Sequence, residues 1–207
     1  FPGFVQKLGW INPFHFKYLF IPRAVFRVVR HLRGSRGLEF VLVSASDATF
    51  RRYFEHREPG GDVIAPLLSA EFLQWRVLDN QSHAYTLVAV HEKGEMIGFA
   101  VYRPVDRGRL FIEMIDFLSP HYWHGPHLTA ILWFLFQNSG ARFLYTWEPT
   151  QDRLAAAYKG AGLLRNPFSR GAFSYATPFI VRSGQMSFRG LDLRRRATYD
   201  LQPLVQD

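Results

Sequence analysis

Two carboxylates lie within an apolar run that has the length of one strand. Glu113 and Asp116 interrupt residues 110–118. Burial in such a strand raises the pKa of a carboxyl group, as a general base requires. Because alternate residues face opposite sides of a sheet, Glu113 is expected to point with Phe111 and Ile115, and Asp116 to point the other way unless a bulge intervenes. Glu113 is the first candidate for a base, and a salt bridge is the favoured interpretation of Asp116.

Three histidines follow this strand at intervals of three residues: His121, His124 and His127. The spacing raises the question of a metal site. Pro120 and the Gly-Pro pair at 125–126 are expected to interrupt any regular helix, so the spacing fixes no common face. No acidic ligand or Cys accompanies the histidines. A polar or phosphate-facing loop is therefore preferred to a metal, and His121 is the second candidate for a base.

Composition narrows the class of protein. The 207 residues have room for one domain of ordinary size plus a short appendage, and 48% hydrophobic with 20% charged residues is a globular composition. The absence of Cys excludes a disulfide scaffold, a Cys-based zinc site and a Cys nucleophile. A net charge of +8 indicates an anionic partner, such as nucleic acid, a membrane surface or cofactor phosphates. No apolar run reaches the roughly 18–20 residues of a membrane-spanning helix, and no signal peptide is apparent.

The apolar and turn patterns predict an α+β fold with a mixed, mostly antiparallel sheet and helices on both faces. The predicted order is β-α-α-β-β-β-α-β-α-β. The predicted strands are residues 38–44, 85–90, 96–102, 110–118, 142–147 and 173–181, of which the first is expected to be buried and the last broken at Pro178. The predicted helices begin at a cap on Asp47, near 67, near 128 and at a cap on Thr150, with Leu68, Phe72 and Trp75 pointing inward in the second.

The two ends of the chain differ from this middle part. Residues 1–37 are interpreted as an N-terminal segment with a basic amphipathic helix over residues 22–33. Residues 38–185 form the main domain, and residues 186–207 a basic, exposed tail. The apolar stripe of the basic helix is predicted to be Val25, Val28, Val29 and Leu32. Docking of this helix on the domain is preferred, and contact with an anionic membrane is the alternative.

Short motifs and the order of elements resemble the Gcn5-related N-acetyltransferase family over residues 38–185. Residues 154–163 (LAAAYKGAGL) resemble the family's helix that ends in Tyr, three residues and Gly. Residues 115–122 (IDFLSPHY) resemble its central strand followed by Pro-x-Tyr. Residues 69–76 are similar to bacterial members associated with polysaccharide and envelope biosynthesis.

The resemblance implies acetyl-CoA or another acyl-CoA as donor and an amine of a small molecule or sugar as acceptor, with no metal. It implies that Glu113 helps to deprotonate the amine and that Tyr158 protonates the leaving thiolate; a Tyr packed in the core is the alternative for the latter. Backbone N–H groups near Leu118 would polarise the thioester. The residues expected to hold the cofactor are Phe117, Leu118, Trp123, His124, Gly125, His127 and Leu128.

The phosphate-binding loop departs from the family's pattern. Arg/Gln-x-x-Gly-x-Gly/Ala is replaced by residues 123–128 (WHGPHL), which keep only Gly125. Glycines in such a loop let backbone N–H groups approach phosphate at a helix N-terminus, and Pro126 removes one donor. Either His124 and His127 compensate, or the domain binds no cofactor and serves as a recognition module.

The start of the chain repeats one motif. Residues 5–10 (VQKLGW) resemble the helix end at 158–163, so the first 20 residues are interpreted either as the tail of a preceding copy of the domain or as an unrelated helix end. A tandem arrangement with basic charge suits a transferase that uses aminoacyl-tRNA. Other nucleic acids are not expected, because most aromatic residues fall in core stripes. The expected location is the cytoplasm, peripheral to the membrane in one alternative.

Overall fold

Most of the elements belong to one eight-stranded sheet and the helices on its two faces. The computed structural model describes residues 10–33, 37–43, 48–57, 68–80, 82–105, 108–166, 176–182, 187–188, 191–192, 195 and 199. The strands are β1 (Trp10–Pro22), β2 (Glu39–Leu42), β3 (Thr86–Glu92), β4 (Glu95–Pro104), β5 (Arg109–Phe117), β6 (Phe143–Trp147), β7 (Leu164–Arg165), β8 (Ala176–Arg182), β9 (Ser187–Phe188) and β10 (Leu191–Asp192). The helices are α1 (Arg23–Arg33), α2 (Ala48–His56), α3 (Ala70–Leu73, continued as a π-helix over Gln74–Leu78), α4 (Gly125–Ser139) and α5 (Asp152–Gly160), with a 3-10 turn at Pro120–Tyr122.

The strand order is β2-β3-β4-β5-β6-β1-β7, and β8 pairs with β1 off this path. The pairs β2–β3, β3–β4 and β4–β5 are antiparallel, whereas the pair β5–β6 is parallel. One face is covered by α1, α4 and α5, and the other by α2 and α3. These findings confirm the predicted α+β class with helices on both faces of a mostly antiparallel sheet.

Strand β1 was not predicted from the sequence. Its end pairs with β6 and β7, and its first half pairs with β8. The signal was present, since aromatic and polar residues alternate from Phe14 to Tyr18 with the period of a strand. The division of the chain at residue 37 stays a prediction, but β1 lies in the same sheet as the strands of the predicted domain.

Two predictions about strands are wrong. Strand β2 is an edge strand and is not buried, because it stands at the end of the strand order; Val41 and Leu42 are 48% and 68% exposed. Strand β8 continues through Pro178, which lies opposite His15 in β1. A Pro in a strand is tolerated where the neighbouring strand needs no N–H donor from that position.

The inward residues of α3 are also predicted wrongly at one position. Trp75 is 66% exposed, whereas Arg76 is only 8% exposed. Both belong to the π-helical part, Gln74–Leu78. Because a π-turn is wider than an α-turn, it rotates the residues that follow relative to α-helical spacing. The expected cap on Asp47 of α2 lies outside the described residues.

Helix α1 is docked on the sheet through Val29, as predicted, and through Phe26, which was not predicted. Phe26 is fully buried and its ring lies 5.2 Å from that of Phe136 in α4, whereas Val25 and Val28 are 42% and 59% exposed. The Arg30 guanidinium lies 3.7 Å from the centre of the Trp133 ring, which adds a cation–π contact. Among the described helices, none has both the length and the apolar character needed to cross a bilayer.

The tail that was predicted to be exposed contains one buried residue. Tyr199 is 3% exposed, and its ring lies 5.7 Å from that of Phe14 in β1. Its carbonyl oxygen accepts hydrogen bonds from Thr150 Oγ1 and Gln151 Nε2. This part of the tail therefore anchors the segment that leads from β6 into α5.

The close approach of the neighbouring strands β4 and β5 leaves no room for a side chain at Gly98. A Cβ atom there would lie 2.5 Å from the Asp116 carbonyl oxygen and 2.7 Å from Phe117 Cδ1. Since the backbone of a central strand cannot move cheaply, Gly98→Ala is expected to lower the free energy of unfolding by about 1–3 kcal/mol. Chemical unfolding measures this change. The matched control is Gly37→Ala, where a Cβ meets nothing within 4 Å; equal midpoints for the two variants contradict the prediction.

Candidate active site

A β-bulge in the central strand sets the direction of the candidate base. In the pairing of β4 with β5, Val101 lies opposite Met114 and Tyr102 lies opposite Ile112, so Glu113 is an extra residue with no opposite partner. A bulge of this kind breaks the alternation of faces. Met114 joins the core under α2 and α3, and Ile115 joins the core under α4 and α5.

The bulge brings the two carboxylates to the same face of the sheet. Asp116 contacts Tyr53 of α2. Glu113 is ion-paired with Arg103 and interacts electrostatically with Arg76 of α3. The expectation that Glu113 points with Ile115 is therefore wrong. A bulge was named as the condition under which Glu113 and Asp116 would share a face, and that condition is met.

Strands β5 and β6 separate at the same place. Their parallel pairing comprises three residue pairs and ends at Phe111 and Tyr145, although β5 continues to Phe117 and β6 to Trp147. A bulge bends the strand that carries it and increases its local twist, which gives a physical reason for the separation. The place where this pairing is absent, between residues 112–117 of β5 and residues 146–147 of β6, is called the wedge below.

The backbone of β5 presents an N–H donor to the wedge, that of Phe117, which is the residue before Leu118. The N–H of Leu118 donates to the carbonyl oxygen of Ile97 in β4, at 2.8 Å. The N–H groups near Leu118 that are expected to polarise a thioester therefore do not include that of Leu118 itself. Because N–H groups of consecutive strand residues point to opposite sides, that of Phe117 faces the wedge.

Glu113 is a buried carboxyl group held by an arginine. It is 4% exposed, and Arg103 Nε donates to its Oε1 at 2.5 Å. Burial raises the pKa of Glu113, an effect that Arg103, Arg76 and His83 oppose, and the net shift is upward. A carboxylate with a raised pKa accepts a proton more readily near neutral pH, as a general base must.

Asp116 belongs to a structural clamp, which confirms the favoured interpretation of this residue. Arg57 binds both carboxylate oxygens, at 2.7 Å and 3.0 Å, and the Tyr53 hydroxyl donates to Oδ2 at 2.9 Å. Burial raises the pKa of Tyr53 well above its usual range, and the charge of Asp116 raises it further while Arg57 lowers it. The clamp fastens α2 to the end of β5.

The loop after β5 leads directly into α4. His124 is the N-cap, and Gly125 and Pro126 are the first helical residues, so no regular helix runs through all three histidines, as expected. Pro is accepted in the first turn because the N–H groups there have no partner within the helix. A Cβ on Gly125 would lie 3.7 Å from the Gly160 carbonyl oxygen, so the start of α4 lies against the end of α5.

Two of the three histidines meet at this helix start. The Nδ1 atoms of His124 and His127 are 3.1 Å apart, and Nε2 of the buried His127 lies 3.7 Å from Glu92 Oε1. His121 is exposed, within hydrogen-bonding distance of Ser119 Oγ (2.9 Å). No three His, Asp or Glu side chains gather as metal ligands in the part of the chain that the structure describes.

An aromatic cluster joins several predicted cofactor residues to Tyr158. The ring of Phe117 lies 5.0 Å from that of Trp123 and 6.0 Å from that of His127. Trp123 is stacked at 6.1 Å on Tyr158 of α5, which is 2% exposed. Leu128 is buried in the same core. Tyr158 therefore lies on the α4 and α5 face, and Glu113 on the opposite face, with the wedge between them.

Three charged residues of this region were not predicted. Arg103 lies opposite Phe111 in the neighbouring strand, so correct strand pairing would have placed it near Glu113. Arg76 is turned inward by the π-helix, for which the sequence gives no signal. Glu148, directly after β6, is 1% exposed and ion-paired with Lys159 at 2.7 Å and with Arg165. An acidic residue at the end of an apolar strand was the available signal for it.

Comparisons with known proteins define the class of the fold. No family model and no curated protein matches the sequence. A functionally unknown conserved protein of Staphylococcus epidermidis matches with a TM-score of 0.57 and 11% identity over 80% of this chain. A probable N-acyltransferase of Enterococcus faecalis matches with a TM-score of 0.53 and 12% identity over 86% of this chain. A GCN5-related N-acetyltransferase of Kribbella flavida has a TM-score of 0.48 and 15% identity over 71% of this chain, and 34% of its own length is covered.

The chain spans 62% and 41% of the length of the first two of these structures. At such identities the likeness is one of fold. The resemblance predicted from the sequence is supported at that level, since the chain shares its fold with a probable N-acyltransferase.

The raised pKa of Glu113 predicts a pH dependence of stability. Since the folded state binds the proton more tightly than the unfolded chain, the associated stability is present below the ordinary glutamate pKa and is lost as pH rises through the raised one. Relative to Glu113→Gln, the wild type is therefore expected to lose stability over that window and to level off above it. Denaturant unfolding at a series of pH values measures the difference.

Glu71→Gln is the control for this experiment. A hydrogen bond from its own backbone and one from Ser69 lower the pKa of the exposed Glu71. The sign is opposite, so the wild type gains stability relative to this variant as pH rises. The same slope for both variants would show that Glu113 is not perturbed by burial.

Proposed function

We propose that this chain transfers an acyl group from an acyl-CoA to an amine of a small molecule or sugar. The observation that carries the proposal is the end of the β5–β6 pairing at Phe111 and Tyr145, with Glu113 on one face of the sheet there and Tyr158 in the core of the other face. The likeness of fold to a probable N-acyltransferase supports it. Donor and acceptor would meet where β5 bends.

The donor, acetyl-CoA or a longer acyl-CoA, would lie in the wedge. The N–H of Phe117 would polarise the thioester carbonyl, since a fixed donor stabilises the negative charge that develops on its oxygen. The first turn of α4 would receive phosphate through the N–H groups of Gly125 and His127, aided by the helix dipole. Pro126 has no N–H to contribute, so fewer donors are available than in a glycine-rich loop.

The acceptor amine would approach from the face of α2 and α3. Glu113 would take a proton from it, directly or through water, so that the nitrogen lone pair attacks the thioester carbon. Arg103 would keep the carboxylate oriented. As the carbon–sulfur bond breaks, the Tyr158 hydroxyl would protonate the thiolate, because a phenol with a pKa near 10 suits a leaving group of similar basicity.

A recognition domain without a cofactor is the second candidate function. Pro126 in the first turn of α4 favours it, as do the acidic residues nearby. Burial raises the pKa of Tyr122, and the charges of Glu92 and Glu95 raise it further, which places negative potential beside this helix start. Such charges oppose the binding of phosphates.

Predictions about larger partners remain proposals. Helix α1 contains four arginines and no acidic residue, and its Val25 and Val28 are exposed, a combination suited to an anionic membrane surface. The use of aminoacyl-tRNA, and a cytoplasmic location with peripheral membrane contact, likewise remain proposals.

Calorimetric titration with acetyl-CoA and longer acyl-CoAs tests the proposed donor. Binding in the micromolar range is expected. Tyr158→Phe is expected to lower the release of coenzyme A in the presence of primary amines by about 100-fold or more, with little change in acyl-CoA binding, because it removes a proton donor and no binding contact. The absence of binding to every acyl-CoA would favour the recognition domain.

Tyr102→Phe is the matched control for Tyr158→Phe. Tyr102 is a buried tyrosine of the same core, in β4. Its variant is expected to keep its turnover. If both variants lose turnover equally, the loss reflects core packing, and the role of Tyr158 as an acid is excluded.

A further inference from the structure

An aromatic platform covers the α2 and α3 side of the sheet beyond the helices. Its buried members are Phe16 of β1, Phe111 of β5 and Trp147 of β6, and the half-buried Phe14, Tyr18 and Tyr145 pack against them. The rings of Phe16 and Trp147 are stacked at 4.3 Å and 15°. The ring of Phe111 lies 4.8 Å from that of Tyr145. Strands β1, β5 and β6 thus contribute to one buried aromatic cluster beside the wedge.

Trp147 carries a buried donor that the fold leaves without a hydrogen bond. Trp147 is only 7% exposed, and its Nε1 takes part in none of the described hydrogen bonds. An unpaired buried donor destabilises the folded state, so most are paired in native structures. A Phe at this position would stack equally well without that cost. A ligand that supplies an acceptor atom gives a physical reason for the indole.

The platform is continuous with the candidate base. The Arg103 guanidinium lies 5.5 Å from the centre of the Phe111 ring, and its Nε is 2.5 Å from Glu113 Oε1. Phe111 and Trp147 belong to the same buried cluster. A carboxylate, a row of aromatic rings and an indole N–H therefore follow one another on the acceptor side of the sheet.

We propose that Trp147 Nε1 donates a hydrogen bond to an oxygen of the acceptor while Glu113 receives its amine. The inference rests on the proposed function and narrows its acceptor. The substrate class is a primary amine with a flat or apolar body that bears a carbonyl or hydroxyl oxygen. An indole N–H can only donate, so an amine without such an oxygen leaves it unpaired.

Indole N–H resonances in a ¹⁵N NMR spectrum report on this contact directly. Trp147→Phe assigns the Trp147 signal by its disappearance. Phenylalaninamide and phenethylamine are the probes, since both are flat primary amines and only the first has a carbonyl oxygen. Phenylalaninamide is expected to shift the Trp147 signal downfield, with smaller changes at Trp75 and Trp133, and phenethylamine is expected to leave it in place.

Steady-state kinetics provide a second readout. Trp147→Phe is expected to raise KM for phenylalaninamide about tenfold, the effect of one hydrogen bond of about 1.4 kcal/mol, with the KM for acetyl-CoA unchanged. The KM for phenethylamine is expected to stay the same. Trp75→Phe, at a tryptophan that is 66% exposed, is the matched control and is expected to change neither constant.

The outcomes separate this inference from the proposed function. If acetyl-CoA binds but the Trp147 signal responds to neither amine, or to both alike, the subsite is wrong and the donor site stands. If the Trp147 signal responds to phenylalaninamide but no acyl-CoA binds, the subsite stands and acyl transfer is wrong. Equal losses with both amines in Trp147→Phe overturn the hydrogen bond and leave only a packing role.

Discussion

The extra residue in β5 determines how the centre of this molecule is arranged. Glu113 has no partner in β4, and the parallel pairing with β6 ends two residues earlier, at Phe111. The extra residue turns the carboxylates of Glu113 and Asp116 to the same face of the sheet. It lies just beyond the last residue pair of β5 and β6. Without the bulge, Glu113 and Asp116 would face opposite sides of the sheet.

Several contacts hold the bent strand in place. Gly98 lets β4 approach the backbone at Asp116, and Arg57 and Tyr53 bind the Asp116 carboxylate from α2. Arg103 binds the Glu113 carboxylate within the sheet. The buried charges beside the wedge are thus fixed by partners, which limits how far they can move when a ligand enters. Preorganised charges of this kind contribute to catalysis because they need little reorganisation during the reaction.

The apolar patterns predicted the fold class and the strands that form β3 and β4, because these depend on local periodicity and turn residues. They did not predict the burial of Arg76 or the exposure of Trp75, since a π-turn depends on tertiary packing. The bulge at Glu113 was named only as a condition, because a bulge depends on how β5 pairs with β4 and the pattern of one strand does not contain that pairing. The contact between His124 and His127 was not predicted, because it depends on the helix that begins at Gly125.

We propose that the wedge between β5 and β6 holds an acyl-CoA. Amide hydrogen exchange, measured residue by residue with and without acetyl-CoA, tests this most directly. Added protection is predicted at Phe117 and in the first turn of α4 at Gly125 and His127, and none is predicted in the edge strand β2. Unchanged exchange at Phe117 and at the start of α4 under saturating acetyl-CoA, or equal protection in β2, would contradict the claim.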